Sequence, residues 1–374
     1  MRTLRAALLL LLLQLQLPWA SALSVTFVNP GRSDEAFWVA ATQATQAAAD
    51  SLGVKLETLY AEREPKRTLA IAQQIAQRPS ALRPDYVILV NEKGTLVESA
   101  QTLGAAGIKT FAAYSGLLPQ ERSHWAPRKG LPLLLGSLEP RGHDAGYLTA
   151  RALIQQGLAE NRLAANGRLQ MLAIAGDRST PTSIQRNEGL RRALAEQPRV
   201  ELKEQAFGDW SRDLAKEKMQ ALLLRFPEAQ LLWTASDQMA FGAIEALEAH
   251  GRKPGRDLLV SSINTSAAAL QARIDGQFSA LAGGHFMTGA WAMVMIYDHA
   301  HGRDFAEEGL EQESSMFILF NPAQAAHFLS RFGQGLGQGQ GRGAGIAKLD
   351  FRPYSKHLNP KLKRYTFSLD ALLK

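Results

Sequence analysis

Short apolar runs and helical stripes take turns along almost the whole chain. Runs at 25–28, 54–59, 86–90, 109–113, 169–173, 200–205, 230–233, 258–263, 278–282 and 316–319 read as strands. Between many of them apolar residues recur at helical spacing. Phe37, Ala40, Ala41, Ala44, Ala48 and Leu52 share one stripe over 36–52, and Ala240, Ala243, Ile244 and Leu247 share another over 238–250. The alternation predicts βαβ units, with parallel sheets covered by helices on both faces. It runs too long for one sheet, so the expected architecture is α/β with two doubly wound lobes. Two stretches break the pattern. The segment 114–136 holds Pro119, Pro127 and Pro132 with little periodicity, and reads as a long surface excursion before the second lobe. The segment GQGLGQGQGRGAG, 333–345, reads as a flexible connector, since it lacks the Gly-Lys-Ser/Thr of a phosphate cradle.

The first residues bear on where such a protein works. Arg2 and Arg5 precede an unbroken apolar run, 6–13, and then Ala20-Ser21-Ala22. A charged start, an apolar centre and an A-x-A site are the marks of a cleavable secretory signal, and the run is too short to favour a membrane span. The expected leader is 1–22 and the expected compartment is the periplasm. The 374-residue chain has no cysteine, which leaves no route to a lipid anchor or a disulfide, so its stability rests on packing. The remainder, about 350 residues, exceeds the roughly 250–300 at which single cores stop growing. Loss of Arg2 and Arg5 lowers the formal charge from +7 to +5, with no dense basic block ahead of the C-terminal tail. Nucleic acid is not implied.

Candidate chemistry sits where ligands of open α/β sheets sit, beyond the carboxyl ends of the strands. Asn29 and then Phe37-Trp38 follow the first strand. Asn91 and Glu92 follow 86–90, and Tyr114 and Ser115 follow 109–113. In the second half Arg186 comes after 169–173, Asp237 after 230–233, Asn264 after 258–263, and Gly283-Gly284-His285 after 278–282. Aromatic faces stack on the C–H faces of a sugar, while Asp, Asn and Arg can each engage neighbouring hydroxyls. Other roles stay open. Phe37 fits the apolar stripe, Asp237 gains from the helix dipole in a first turn, and Asn264 could be a cap. Arg186 differs, because a cation in the early turns of a helix opposes the dipole. His299 and His301 read as solvated helix-end residues. No nucleophile elbow, HExxH or placed GxGxxG occurs, and neither cofactor nor metal is expected.

From about Ser24 to about Leu329 the chain resembles the type I periplasmic binding proteins, the ribose- and galactose-binding group that serves ABC importers. The resemblance lies in VTFVNPGRSDEAFWVAATQATQAAADSLGVKL, PDYVILVNE, AAGIKTFAAYS, IQRNEGLRRAL, LLWTASDQMAFGAIEAL and SALAGGHFMTGAWAM. Of these, SDQMAFGAIEAL and QRNEGL are the more specific. It implies ligand contacts from Asn29, Phe37 and Trp38 in the first lobe and from Arg186, Asp237 and Asn264 in the second. Tyr114 or Ser115 stands where the family usually has a ligand-binding Asp. A glutamine common after the ninth strand gives way to Gly283 or Gly284, leaving His285 as the substitute.

The resemblance further implies lobes joined by hinge crossovers: 24–136 with 284–313, and 137–283 with 314–332. A linker, 333–347, and a tail, 348–374, would follow, the tail's Lys356, Lys361, Lys363 and Arg364 forming a solvated face. The implied function is capture of a sugar or related polyol by a monomer and its delivery to an ABC permease. A receptor module for a membrane kinase or chemoreceptor, as in the related autoinducer-2 receptor, is the alternative. Sugar-responsive repressors share the fold, but an export signal argues against that role. A secreted hydrolase lacks a recognisable nucleophile or metal set.

Cleavage after Ala22 is directly measurable. Intact-mass analysis of protein from the periplasmic fraction should give a chain beginning at Leu23, and a chain still carrying Met1 would remove the export reading.

Overall fold

The computed structural model describes residues 22–338 and 344–369, so the expected leader, apart from Ala22, lies outside them. Each half of the chain winds a six-stranded sheet. The first takes β1 (Ser24–Asn29), β2 (Lys55–Tyr60), β3 (Tyr86–Leu89), β4 (Lys109–Ala113), β5 (Leu134–Pro140) and a late strand, Glu311–Ser314. The second takes β6 (Leu169–Ala175), β7 (Val200–Phe207), β8 (Leu231–Thr234), β9 (Leu259–Ile263), β10 (Ala280–Gly283) and Ile318–Leu319. With β11 for Glu311–Ser314 and β12 for Ile318–Leu319, the orders are β11-β5-β4-β3-β1-β2 and β12-β10-β9-β8-β6-β7. The two windings match, although the sequence has no repeat. All pairings are parallel except β10 with β12.

Helices cover both faces. α1 (Ala36–Leu52), α2 (Pro65–Ala76), α3 (Leu96–Ala105) and α4 (Pro119–Trp125) belong to the first sheet. The second carries α5 (Gly142–Ala159), α6 (Pro181–Ala195), α7 (Arg212–Arg225), α8 (Asp237–Ala249) and α9 (Ala267–Ile274). α10 (Thr288–Ala300) returns to the first lobe, where it lies along the alanine-rich face of α1, and α11 (Pro322–Phe332) packs on α9. Buried alanines at 40, 41, 44, 47 and 48 leave room for that helix to approach. Closer still are α5 and α6: a Cβ on Gly146 would lie 2.0 Å from the Arg186 carbonyl oxygen, and one on Gly189 2.2 Å from that of His143. Only glycine permits this approach, and it fixes the height of Arg186 in the second lobe.

Several expectations need correction. The 114–136 excursion in fact contains α4 and leads into β5, whose start at Leu134 was missed because the preceding prolines hid a short apolar run. The polar edge strand β11 has no alternation to read. The first crossing between lobes comes after Pro140, since β5 lies wholly in the first sheet. Finally, the C-terminal region is not a loose appendage. Gln43 on α1 donates to the Gly335 carbonyl at 2.8 Å and accepts from the Gly337 amide at 3.0 Å, pinning the near end of the Gly/Gln segment to the first lobe. Beyond it, buried Asp298 accepts from Ser355 Oγ, from the amides of Lys356 (2.7 Å) and His357 (3.1 Å), and from Tyr365 Oη (2.9 Å). Phe367 stacks on Trp291 at 5.0 Å, and Lys356 pairs with Glu308. Lys361, Lys363 and Arg364 are exposed as expected, but Lys356 is not. His299 likewise is half-buried, its Nδ1 2.9 Å from Tyr86 Oη.

Glu139, at the end of β5, is 3% exposed, and burial pushes its carboxyl up to about 7. Arg122, 3.9 Å away, offsets little of this. A carboxyl raised in the folded state contributes stability that is present below the unfolded pKa and is lost as pH rises through the folded one. Glu139→Gln should therefore gain on the wild type by about 2–3 kcal/mol more at pH 8 than at pH 5, read from urea denaturation. Equal differences at both values would show that Glu139 does not titrate in that window.

Candidate functional site

Between the lobes, at the carboxyl ends of both sheets, lies a cleft with about 550 Å³ of space free of protein atoms. The chain reverses its winding beside β1 and β6, so the loops after them splay and leave a crevice. The lobes are drawn together over it: Ser115 Oγ is 2.7 Å from Thr182 Oγ1, and Lys93 Nζ is 2.9 Å from Asp209 Oδ1.

One wall is aromatic. Phe37 and Trp38 meet edge to face at 5.0 Å, Trp38 meets Tyr114 at 5.1 Å, and Phe37 stacks on His285 at 4.6 Å. The helix start therefore sends both rings to the cleft, with Trp38 only 4% exposed. Gly31 makes this possible, because a Cβ there would lie 1.9 Å from Trp38 Cδ1. The second lobe repeats the device: Trp210, after β7, lies over Gly176, where a Cβ would come within 2.3 Å of the ring.

The polar groups come in three sets. Arg63 grips Glu35 with two nitrogens and Glu92 with a third, the last at 2.7 Å. Asp237 accepts from Asn264 Nδ2 at 2.8 Å, from Ser266 Oγ at 2.5 Å and from the Gln238 amide at 2.9 Å. Burial raises the carboxyls of both Asp237 and Glu92. Arg186, 3% exposed, touches no carboxylate. Its Nη1 donates to the Ala235 carbonyl at 2.6 Å and its Nη2 lies 2.9 Å from His285 Nε2, and burial pushes its guanidinium down to about 9. A guanidinium only donates, so His285 Nε2 accepts and the proton of the neutral ring sits on Nδ1. Burial and Arg186 both hold His285 well below the usual imidazole range, which agrees. Three buried donors on the lining, Trp38 Nε1, Arg186 Nε and His285 Nδ1, have no partner among the described residues. Buried polar groups are seldom left so.

Four lining residues other than glycine have left-handed backbone: Arg63 at φ 64°, Tyr114 at 67°, Trp210 at 62° and Asn264 at 123°. Strain held at one place by surrounding structure is a mark of functional sites.

Of the expected residues, Phe37, Trp38, Glu92, Tyr114, Ser115, Arg186, Asp237, Asn264 and His285 all line the cleft. Asn29 does not. Its amide donates to the Trp38 carbonyl at 3.2 Å and to Thr42 Oγ1 at 3.1 Å, while its Oδ1 accepts from the Gly31 amide at 2.9 Å. It aims the turn that carries the rings. Tyr114 presents ring rather than hydroxyl, since Oη donates to the Phe286 carbonyl and accepts from the Gly289 amide, both at 3.0 Å. Glu35, Arg63, Thr182 and Trp210 were missed. Arg63 and Trp210 follow the second and seventh strands, so the rule that found the others reaches them too. Among the described residues no group of three metal-ligating side chains occurs, and no helix is long and apolar enough to cross a membrane.

Comparison with known proteins places this geometry. A family profile described as a periplasmic binding protein domain matches residues 25–304. A periplasmic sugar-binding protein of Pseudomonas fluorescens, known from its crystal structure, is 39% identical, with a TM-score of 0.82 over 94% of this chain and 99% of that one. The ribose import binding protein RbsB of Salmonella typhimurium is 23% identical over 246 residues, 65% of this chain and 73% of the relative. The galactofuranose-binding protein YtfQ of Escherichia coli is 26% identical over 113 residues, a segment of 29% of this chain that spans only 36% of that relative.

Arg186 gives the site a test that needs no ligand. A buried cation without a touching counter-ion costs stability, so Arg186→Met should melt no lower than the wild type in the ligand-free state. A drop of several degrees in calorimetry would make Arg186 a structural residue.

Proposed function

The chain belongs to the periplasmic binding protein family, a family of binding proteins and not of enzymes, and from that premise we propose that its cleft captures a sugar or related polyol and that the protein delivers it to a membrane ABC permease. The observation that carries the reading is the set of three unpartnered donors on an aromatic-walled cleft that the lobes close. A sugar supplies what such a site lacks: an apolar face for Phe37, Trp38 or Trp210, and oxygens for Trp38 Nε1, Arg186 Nε and His285 Nδ1. Closure would exclude water and strengthen each of these bonds. The ligand contacts would then be Phe37, Trp38, Glu92, Arg186, Asp237, Asn264 and His285, with Tyr114 as ring surface and Ser115 as a lobe-to-lobe bond. The names of two relatives, a ribose import protein and a galactofuranose-binding protein, support a pentose or hexose as cargo and import as the role. The protein would act as a periplasmic monomer.

A thermal-shift screen against ribose, arabinose, galactose and myo-inositol tests this. A ligand bound only by the folded state adds about 2.7 kcal/mol at a hundredfold excess over Kd. Small-angle scattering should show the lobes drawing together with the sugar that gives the largest shift. Arg186→Ala should weaken that sugar by roughly 2–4 kcal/mol, and Arg186→Lys should restore little, because a point charge cannot replace the fork. No shift with any sugar and an unchanged radius would overturn the reading.

A further inference from the structure

Arg63 is the most heavily committed side chain of the cleft, and its backbone is arranged to put it there. Glu62 and Arg63 both have left-handed backbone, at φ 55° and 64°. Their amides are stapled to the neighbouring loop, to the Gly31 and Pro30 carbonyls at 3.0 and 2.8 Å. Two consecutive residues in this region are held at a cost that the staple must cover. The result aims a guanidinium at Glu35 and Glu92, and places its carbon 5.8 Å from the ring centres of both Trp38 and Trp210. Trp210 belongs to the opposite lobe, where Asp177 Oδ2 accepts its Nε1–H at 2.6 Å.

A sugar hydroxyl needs an acceptor as well as a donor. On the second lobe Asp237 already accepts from three groups. On the first, Arg63 supplies three donors to two carboxylates, which together offer about eight lone-pair sites. The carboxylates with the most acceptor capacity left in the cleft are therefore Glu35 and Glu92. Glu92 is 4% exposed, with burial, Asp177 and Glu35 all driving its carboxyl towards the neutral form and Arg63 opposing them. Lys93 beside it is spent on Asp209.

We propose that Arg63 is a positioning residue that holds Glu35 and Glu92 in place as the hydroxyl acceptors of the first lobe and, through Trp210, ties that wall to the second lobe in the closed form. The inference rests on the sugar reading of the cleft. Without Arg63, Glu92 is left among Asp177 and Glu35 and takes up a proton at higher pH, so a charge-assisted acceptor is lost as pH falls.

The test compares Arg63→Met, Arg63→Lys and Arg63→Met/Glu92→Gln with the wild type. Calorimetry at pH 8 and 5.5 uses whichever of ribose, arabinose, galactose or myo-inositol gives the largest thermal shift. Carbon-13 NMR follows the Glu92 carboxyl in ligand-free protein. Arg63→Met should bind roughly tenfold to a hundredfold more weakly at pH 8, with a further loss at pH 5.5 larger than any in the wild type. Its Glu92 should titrate at least about one unit above that of the wild type. Arg63→Lys keeps the charge, so it should bind weakly but with the wild-type pH profile. In the double variant the extra acid loss should disappear. A wild-type pH profile in Arg63→Met, or an unmoved Glu92 titration, overturns the inference. If the wild type binds none of the four, the sugar reading falls by itself, and the Glu92 titration still decides whether Arg63 holds that carboxylate.

Discussion

Charge in a closing cleft must be compensated, and most features of this molecule follow from how that is done. Glu92, Arg186 and Asp237 are each less than a tenth exposed. Asp237 is held by three hydrogen bonds, Glu92 by a guanidinium, and Arg186 by a carbonyl and a neutral imidazole, with the charge of Asp237 acting on it without contact. The last arrangement leaves a positive site with donors to spare. The glycine contacts between α5 and α6, the stacking of Phe37 on His285 and the left-handed residues all serve to hold these groups where solvent cannot relieve them. A binding protein needs such preorganisation, because groups already desolvated and oriented lose little more when the ligand arrives.

The two lobes solve the same problem with unlike residues. Each sheet ends in a tryptophan lying on a glycine, and each places an arginine near that ring. In the first lobe the arginine is saturated by carboxylates and in the second it is not. Unpartnered donors stand on both sides of the cleft, Trp38 Nε1 on the first lobe and Arg186 Nε on the second, so neither lobe alone presents the whole set. Closure, not either surface, makes the site.

How much of this was legible in the sequence depended on whether position alone decided the outcome. Strand ends are set by hydrophobic pattern, and a residue just past one in a parallel sheet is carried to the cleft whatever its neighbours, which is why Arg186, Asp237, Asn264 and the Phe37-Trp38 pair could be read. Direction is another matter. Asn29 has the right position, yet its amide turns into the first turn of α1. Arg63 and Trp210 also follow strands and so have the right position, but the left-handed backbone that aims them is not encoded by any periodicity. The tail was opaque for a third reason: Phe351, Tyr354 and Phe367 sit at irregular spacing in a lysine-rich stretch, and only their distant partner Trp291 gives them a surface to bury against.

That tail bears on the order in which the molecule can be put together. The first lobe draws on residues up to Pro140, on α10 and β11, and on the segment that wraps Asp298 and sets Leu369 against Gly284 at the crossover. Most of the second lobe, from α5 to β10, is one unbroken stretch. During synthesis the second lobe can therefore finish while the first still waits for the last few residues to emerge. Contacts between the two ends of the chain are the slowest to form, since the loops they close are the longest. The first lobe of such a chain stays incomplete until residues as far as Leu369 are available to it.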